Sequence, residues 1–467
     1  MRTYIMYFML FGTTLLFSQQ TNSETLNFKE YLGYVKKYHP IAKQAELNIA
    51  IGQANLTKSR GGFDPKVDVA YKKKSFKGKE YYDLLQSTFK IPTWYGIELK
   101  AAYEENEGLF LNPQNTVPKE GLFKAGISIP IAQGLLINDR MATLRKAKIF
   151  KEQTKASRDL LINQILYDAS LAYFDWVKVY NEKEMYSQFL ANAKTRFEGI
   201  KKSVLIGDKA SIDTVEAKIV FQNRTLSLEQ SKIKLMKQSL ILSNFLWLEN
   251  NTPIELQSNV IPDHIVEEDI DIVLEIQGKS IDSFTTKNHP KLRTLMYKIK
   301  GLEVDRKLKA NKLLPKINLE YNFLTETPET YSSFNTTDYI GSIGFKFPLF
   351  LRKERGDLKL AKYKLQDAKL ALKTNEVTIK NKIQSIYIEL ESLKRQNELV
   401  TSIAGNYEAL LAAEERKFSL GESSLFLINS REKKLIDAKL KAIKMKNTFF
   451  TIKAKLFNSL ALNPENI

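Results

Sequence analysis

The side chains best suited to metal binding or general-base work are three imidazoles, His39, His264 and His289, and the chain has no cysteine to join them. They are scattered, and His39 and His289 each stand directly before a proline. Backbone before proline is held extended, and a polar side chain there caps a following helix. These histidines therefore read as helix starts rather than metal ligands. Without cysteine there is no disulfide, no thiolate metal site and no thiol for a lipoprotein anchor. The patterns GxSxG, HExxH and GxxxxGK[ST] do not occur, and no acid pair is clustered. The expectation is a protein that is not an enzyme, with no catalytic, cofactor-binding or metal-binding residues.

Lysine and arginine number 71 against 53 aspartate and glutamate, a net charge of +18. Such an excess can mark a nucleic-acid binder. Here the lysines do not gather into a block. Lys359, Lys362, Lys364 and Lys369 alternate with Asp367 and apolar residues, as on the solvated face of a long helix. No nucleic-acid partner is expected.

Two glycine-centred segments stand out more than any polar cluster. One runs from Leu205 through Gly207, Ala210 and Asp213; the other runs from Ser419 through Gly421 and Ser424 to Leu427. Glycine at a helix end accepts left-handed backbone cheaply, so both read as turns between helices. Their similarity belongs to a larger repeat. His39-Pro40 and His289-Pro290 are 250 residues apart, and so are Pro65-Lys66-Val67 and Pro315-Lys316-Ile317. At an offset of 214, Leu144 corresponds to Leu358, Tyr173 to Tyr387, Gly207 to Gly421 and Leu242 to Leu456. Two registers with landmarks in one order mean a duplication. The first copy is 36 residues longer, and the excess lies in its strand-rich part.

Each copy reads as helix, strands, long helix, turn, helix. An amphipathic stretch at 27–58 has a partner at 282–312, each ending before Pro65 or Pro315. Val67, Val69 and Tyr71 alternate with polar neighbours, as do Phe89 and Ile91, Leu99 and Tyr103, Phe123 and Ile127, Leu319 and Tyr321, and Ile343 and Phe345. Period two marks strands with one apolar and one polar face. The first copy shows four such segments and the second shows two; the extra pair, about 82–105, is either an added outer hairpin or an enlargement of the sheet. From 138 to 203 there is no proline and only Gly199, and 352–418 contains only Gly356 and Gly405. Helices of that length reach roughly 100 Å. The return segments carry three-four seams, Ile212, Val215, Ile219, Leu226, Ile233, Met236 and Leu240 in one, Leu435, Ala438, Ala442, Met445, Phe449, Ile452 and Leu456 in the other. Such seams are coiled-coil positions.

Arg2, an apolar run from Tyr4 to Phe17, and then Ser18 make a secretory signal peptide, with cleavage expected near residue 18. No later apolar run approaches the roughly 20 residues of a spanning helix, so entry into a membrane would require a β-barrel.

This organisation resembles the TolC-type outer-membrane efflux proteins over nearly all of the mature chain. The resemblance rests on the repeated His-Pro and Pro-Lys landmarks, the Gly126–Pro130 and Gly344–Pro348 strand ends before long helices, and the glycine turns. It implies an α+β, mostly α, fold: a duplicated unit of strands plus long coiled-coil hairpin, joining as a homotrimer into an outer-membrane β-barrel with a periplasmic α-helical tunnel. The expected division is signal peptide 1–18, a first repeat at 19–250 (strands 66–131, hairpin 138–248), an equatorial linker at 251–286, and a second repeat at 287–467 (strands 316–349, hairpin 352–462). The implied function is passive conduction of cargo from an inner-membrane pump and a periplasmic adaptor, across the outer-membrane lipid, in efflux or type I secretion. The alternative is a periplasmic coiled-coil adaptor, which would carry one hairpin and an anchor. The resemblance places Gly207, Ala210, Asp213, Gly421 and Ser424 at the periplasmic tips that meet the adaptor. The family often carries an aspartate six residues after the glycine; Asp213 fits and Leu427 does not.

Overall fold

The computed structural model describes residues 24–263, 267–278, 288–328 and 335–463. The expected leader at 1–18, His264 and the start of the second amphipathic stretch at 282–287 lie outside the described residues.

The first copy opens with strand β1 (Glu24–Leu26) and helices α1 (Phe28–Tyr38) and α2 (Pro40–Arg60). A single helix was expected over 27–58. It is broken because Pro40 forces His39 into extended backbone, φ −63° and ψ 134°, and from there His39 caps α2 by accepting a bond from the Ile41 amide. Four strands follow, β2 (Lys66–Phe76), β3 (Lys79–Pro92), β4 (Glu98–Glu107) and β5 (Leu122–Pro130), then helix α3 (Asp139–Leu205) and helix α4 (Ser211–Ser243). The connection contains strand β6 (Val260–Pro262) and helix α5 (Glu267–Val273). The second copy supplies α6 (Pro290–Asn311), β7 (Lys316–Thr325), β8 (Tyr339–Lys346), α7 (Arg352–Ser419) and α8 (Leu425–Leu460). His289 caps α6 as His39 caps α2, its Nδ1 accepting from the Lys291 amide. Both histidines are thus the helix starts that their Pro neighbours predicted.

Helices α3 and α7 contain 67 and 68 residues and run unbroken, each about 100 Å long. Gly199, Gly356 and Gly405 sit inside them with nothing near the place a Cβ would occupy, so they cost helix propensity but force no kink. The first half of α3 packs against α2 and α6, and its second half pairs with α4. The α7–α8 pair repeats that hairpin. At the crossing of α2 and α3 a Cβ on Gly52 would lie 2.6 Å from the Thr154 hydroxyl, so glycine sets that close approach.

The largest core lies where the two copies meet at mid-height. Phe28, Tyr31, Tyr173, Phe174 and Trp176 of the first copy pack with Ile383, Phe450 and Phe457 of the second. Ile270, Leu274 and Ile276 of the connection join this core, and Lys453 on α8 holds both oxygens of Asp271 at 2.8 Å. β1 and β6 pair in parallel beside it.

The other six strands form one antiparallel sheet in the order β2-β3-β4-β5-β7-β8. The extra pair is therefore part of the sheet: β3 matches β2 along its whole length and β4 from Pro92 to Asp83. The two copies join at β5 and β7, with Ile127 opposite Tyr321 and Ile129 opposite Leu319.

Candidate functional site

The strand registers put two chemically different faces on the sheet. Val69, Leu85, Phe89, Leu99, Tyr103, Phe123, Ile127, Tyr321 and Ile343 share one face, because each sits in phase with its cross-strand partners. Aromatic pairs tile it, Tyr103 with Phe123 at 4.7 Å and Tyr321 with Tyr339 at 5.1 Å between ring centres. The opposite face carries Gln86, Lys100, Glu104, Lys124 and Glu320 around a hollow of about 320 Å³. Lys124 meets Glu104 at 2.6 Å and Lys100 meets Glu320 at 2.8 Å, reaching across β5. The sheet is apolar on one side and charged on the other, the alternation that a strand wall between lipid and water requires. Among the described residues no helix is long and apolar enough to cross a membrane.

At the far end of the helices the two glycine turns have one geometry. Gly207 and Gly421 both take φ +80°, the left-handed region that glycine enters without strain. The amide of Asp208 donates to Ser203 O at 2.9 Å, and that of Glu422 donates to Lys417 O at 2.9 Å. These are paired Schellman caps. The helices that follow begin differently. Ser424 accepts a bond from the Leu427 amide and so caps α8, whereas Ala210 has no side chain to cap α4. Asp213 lies in the first turn of α4, where its charge complements the exposed amides. The departure at Leu427 thereby has a physical account: the serine-capped helix does not need the acid.

The two tips touch. Leu425 packs against Ile200 and Ala217, and the Lys209 ammonium lies 4.4 Å from the centre of the Phe418 ring. Ser423 donates to Glu414 at 2.6 Å, and this bond, aided by Arg431, holds the Glu414 carboxyl below its ordinary range. Gly207, Ala210, Asp213, Gly421 and Ser424 are thus brought to one end of the molecule. Sequence reading placed Ile212 only in the coiled-coil seam and missed the other apolar side chains exposed beside them. Ile206 and Ile212 in the first tip, and Leu420 and Phe426 at the equivalent places in the second, all stand mostly in solvent. The signal was present, since both copies keep a large apolar residue immediately before the glycine, where a turn would ordinarily be polar.

Sequence reading also missed a buried ion cluster roughly two to four turns from the tips. Glu432 on α8 is fully buried. Arg196 on α3 reaches it at 3.4 Å and Arg224 on α4 at 3.3 Å, and Arg196 also meets the half-exposed Glu415 on α7 at 3.2 Å. The cluster ties both helical hairpins together. No group of histidine, aspartate or glutamate able to hold a metal occurs among the described residues.

The two seams differ in who covers them. Leu435, Ala438, Phe449, Ile452 and Leu456 of α8 are buried within the chain. On α4, Val215, Ile219, Leu226, Ile233, Met236 and Leu240 are all exposed, and α7 exposes Leu360, Tyr363, Leu370, Val377, Ile388 and Leu399. Two uncovered apolar stripes along helices of this length exceed what a monomer ordinarily shows.

The chain is thus a two-faced strand wall standing on long paired helices, with uncovered apolar stripes along its sides. Residues 285–460, nearly all of the second copy, match the family model for outer membrane efflux proteins. Among solved structures the fold resembles the CmeC outer membrane channel of Campylobacter jejuni, at 14% identity and TM-score 0.62, over 98% of this chain and 94% of that one. It also resembles the open MtrE outer membrane channel of Neisseria gonorrhoeae, at 12% identity and TM-score 0.66, over 93% and 88%. The outer membrane protein VceC of Vibrio cholerae matches at 11% identity and TM-score 0.64, over 93% and 96%. No curated protein sequence matches the chain.

Proposed function

We propose that the chain is the outer-membrane channel subunit of an efflux or type I secretion system. It conducts cargo passively through the outer membrane while its helices extend into the periplasm. The observation that carries this reading is the sheet, whose apolar face suits lipid and whose charged face, held by the Lys100–Glu320 and Lys124–Glu104 pairs, suits a water-filled lumen.

One chain supplies an open sheet, and open edges do not survive in lipid with unpaired amides. Three copies close the wall, and the exposed stripes of α4 and α7 meet between neighbours. The described parts of the connection, 251–263 and 267–278, contribute to a collar at mid-height. The tips at Gly207, Ala210, Asp213, Gly421 and Ser424 receive a periplasmic adaptor, with Ile206, Ile212, Leu420 and Phe426 as its apolar contacts. An inner-membrane pump hands over the cargo, so conduction requires no catalytic residue or cofactor. The test is fractionation followed by planar-bilayer recording. A detergent-extracted trimer from the outer membrane that conducts ions is expected; a compact, non-conducting monomer in the aqueous fraction would refute the reading.

A further inference from the structure

The six-stranded sheet ends at β2 on one side and at β8 on the other. Every residue of both edge strands is exposed, whereas every residue of β5 is half-buried. Val67, Val69 and Tyr71 on β2, and Ile343 and Phe345 on β8, are each more than 60% exposed. Long apolar edges of this kind are templates for pairing.

The chain contains its own pattern for that pairing. β2 corresponds to β7 at the 250-residue offset, Lys66-Val67 matching Lys316-Ile317. β8 corresponds to β5, Gly344–Pro348 matching Gly126–Pro130. Within the chain β5 and β7 already pair, Ile127 with Tyr321 and Ile129 with Leu319. We propose that β8 pairs with β2 of a neighbouring copy in this same register, Phe345 opposite Tyr71 and Phe347 opposite Val69, and that three copies thereby close an 18-stranded barrel, six strands from each. The proposal rests on the trimeric channel reading above.

Direction and face both fit. β2 leaves the helices and β8 returns to them, so the junction is antiparallel like every other in the sheet. Phe345 and Tyr71 belong to the apolar face, while Gly344 and Lys72 belong to the charged one; a slip of one residue would exchange the faces.

The β3–β4 pair is built into the wall. Its inner turn is tied to the start of α3: Asn138 donates to Trp94 O at 3.0 Å, Arg140 holds Glu98 at 2.8 Å, and the Arg145 guanidinium covers the Trp94 ring at 5.4 Å. Trp94 also stacks on Phe63 at 5.6 Å. Swinging this hairpin out of the sheet would break all of these contacts and both flanking ladders. At a spacing of about 4.8 Å and a tilt of about 40°, 18 strands give a barrel about 36 Å across between backbones, against about 24 Å for 12.

Because the chain has no cysteine, an introduced pair reports alone. Phe345→Cys combined with Tyr71→Cys, oxidised in isolated outer membranes, is expected to give a covalent ring at three times the monomer mass on a denaturing gel. Directly opposed positions lie within disulfide reach. Phe345→Cys with Val67→Cys, out of register by roughly 13 Å, is expected to remain monomeric, and each single variant to assemble normally. Cross-linking that stops at dimers, or that favours the Val67 pair, would overturn the proposal. Electron cryomicroscopy of the cross-linked trimer is expected to count 18 strands. A conducting trimer with 12 strands and the β3–β4 hairpin outside the wall would overturn the enlarged barrel and leave the channel standing. A soluble, non-conducting monomer would remove the channel reading on which both rest.

Discussion

Replacing Glu432 by glutamine should loosen the tip-proximal helices far more than any other single charge removal there. The carboxylate is fully buried, and its two arginine partners retain only 13% and 14% of their side-chain surface. At 3.3–3.4 Å each contact is worth about 5 kcal/mol of Coulomb attraction at an effective dielectric near 20. Much of that offsets the desolvation of three charges. Removing the one anion, however, strands two guanidiniums side by side in a poorly hydrated site, which typically costs about 3–5 kcal/mol. The lower end applies, because Arg196 keeps Glu415 at 3.2 Å and the Arg224 side chain is 14% exposed to solvent. A loss of about 3 kcal/mol corresponds to roughly a 100-fold rise in local opening.

Hydrogen–deuterium exchange on the assembled channel reads this directly, with barrel strands as the internal reference. Amides of α3, α4 and α8 around Arg196, Arg224 and Glu432 should exchange about 100-fold faster in Glu432→Gln. Glu415→Gln removes an anion whose side chain is 47% exposed and should change exchange by less than about fivefold. A triple variant, Arg196→Met, Arg224→Met and Glu432→Met, should recover most of the protection, since an apolar replacement leaves no stranded charge. If Glu432→Gln and Glu415→Gln behave alike, or the triple variant is as loose as the single one, the buried-charge reasoning is wrong.

Helix-start chemistry predicts a pH effect. His289 accepts from the Lys291 amide at Nδ1 and lies 3.3 Å from Ser459 O at Nε2, and burial lowers its pKa to about 4. The unfolded chain binds that proton near 6.5 and the folded chain only near 4, so helical stability should fall as pH drops from about 6.5 to about 4, then level off. Thermal melts should show this slope, and His289→Gln should flatten it; an unchanged slope would exclude His289 as its source. Aspartate at Ile219 and Ile233 should abolish trimers in native mass spectrometry without unfolding the monomer, since each buried isoleucine contributes roughly 1.5–3 kcal/mol; a full yield of trimers would show that the α4 stripe is not an interface. At the tips, Gly207→Val should cost about 1–2 kcal/mol and Gly207→Asn clearly less, because φ is +80° and nothing crowds the Cβ position; equal losses by exchange at 203–208 would mean that sterics, not backbone, set the turn.

How far the sequence could be read depended on whether a feature refers to its own neighbours. The strands, the long helices and both glycine turns are local, and alternation, heptad spacing and Gly207 or Gly421 announced them. Even the helix break was legible in His39-Pro40, and treating 27–58 as one helix gave amphipathicity more weight than the restriction before proline. Two seams of equal quality had opposite fates: Leu435, Phe449 and Leu456 are buried inside the chain, while Ile219, Ile233 and Met236 face outward. Periodicity reports that a helix has an apolar face and carries no information about what covers it. The ion cluster was hidden for a related reason, since Glu432 lies 236 residues from Arg196 and 208 from Arg224. In sequence such a triad looks like three ordinary surface charges, and only the packing of α3, α4 and α8 turns them into one buried group. The duplication partly repairs this blindness. If β8 meets β2 of a neighbour as proposed, the β5–β7 pairing inside the chain is its repeat, and the internal register supplies what neither the alternation of β2 nor that of β8 contains: the identity of the residue on the other side.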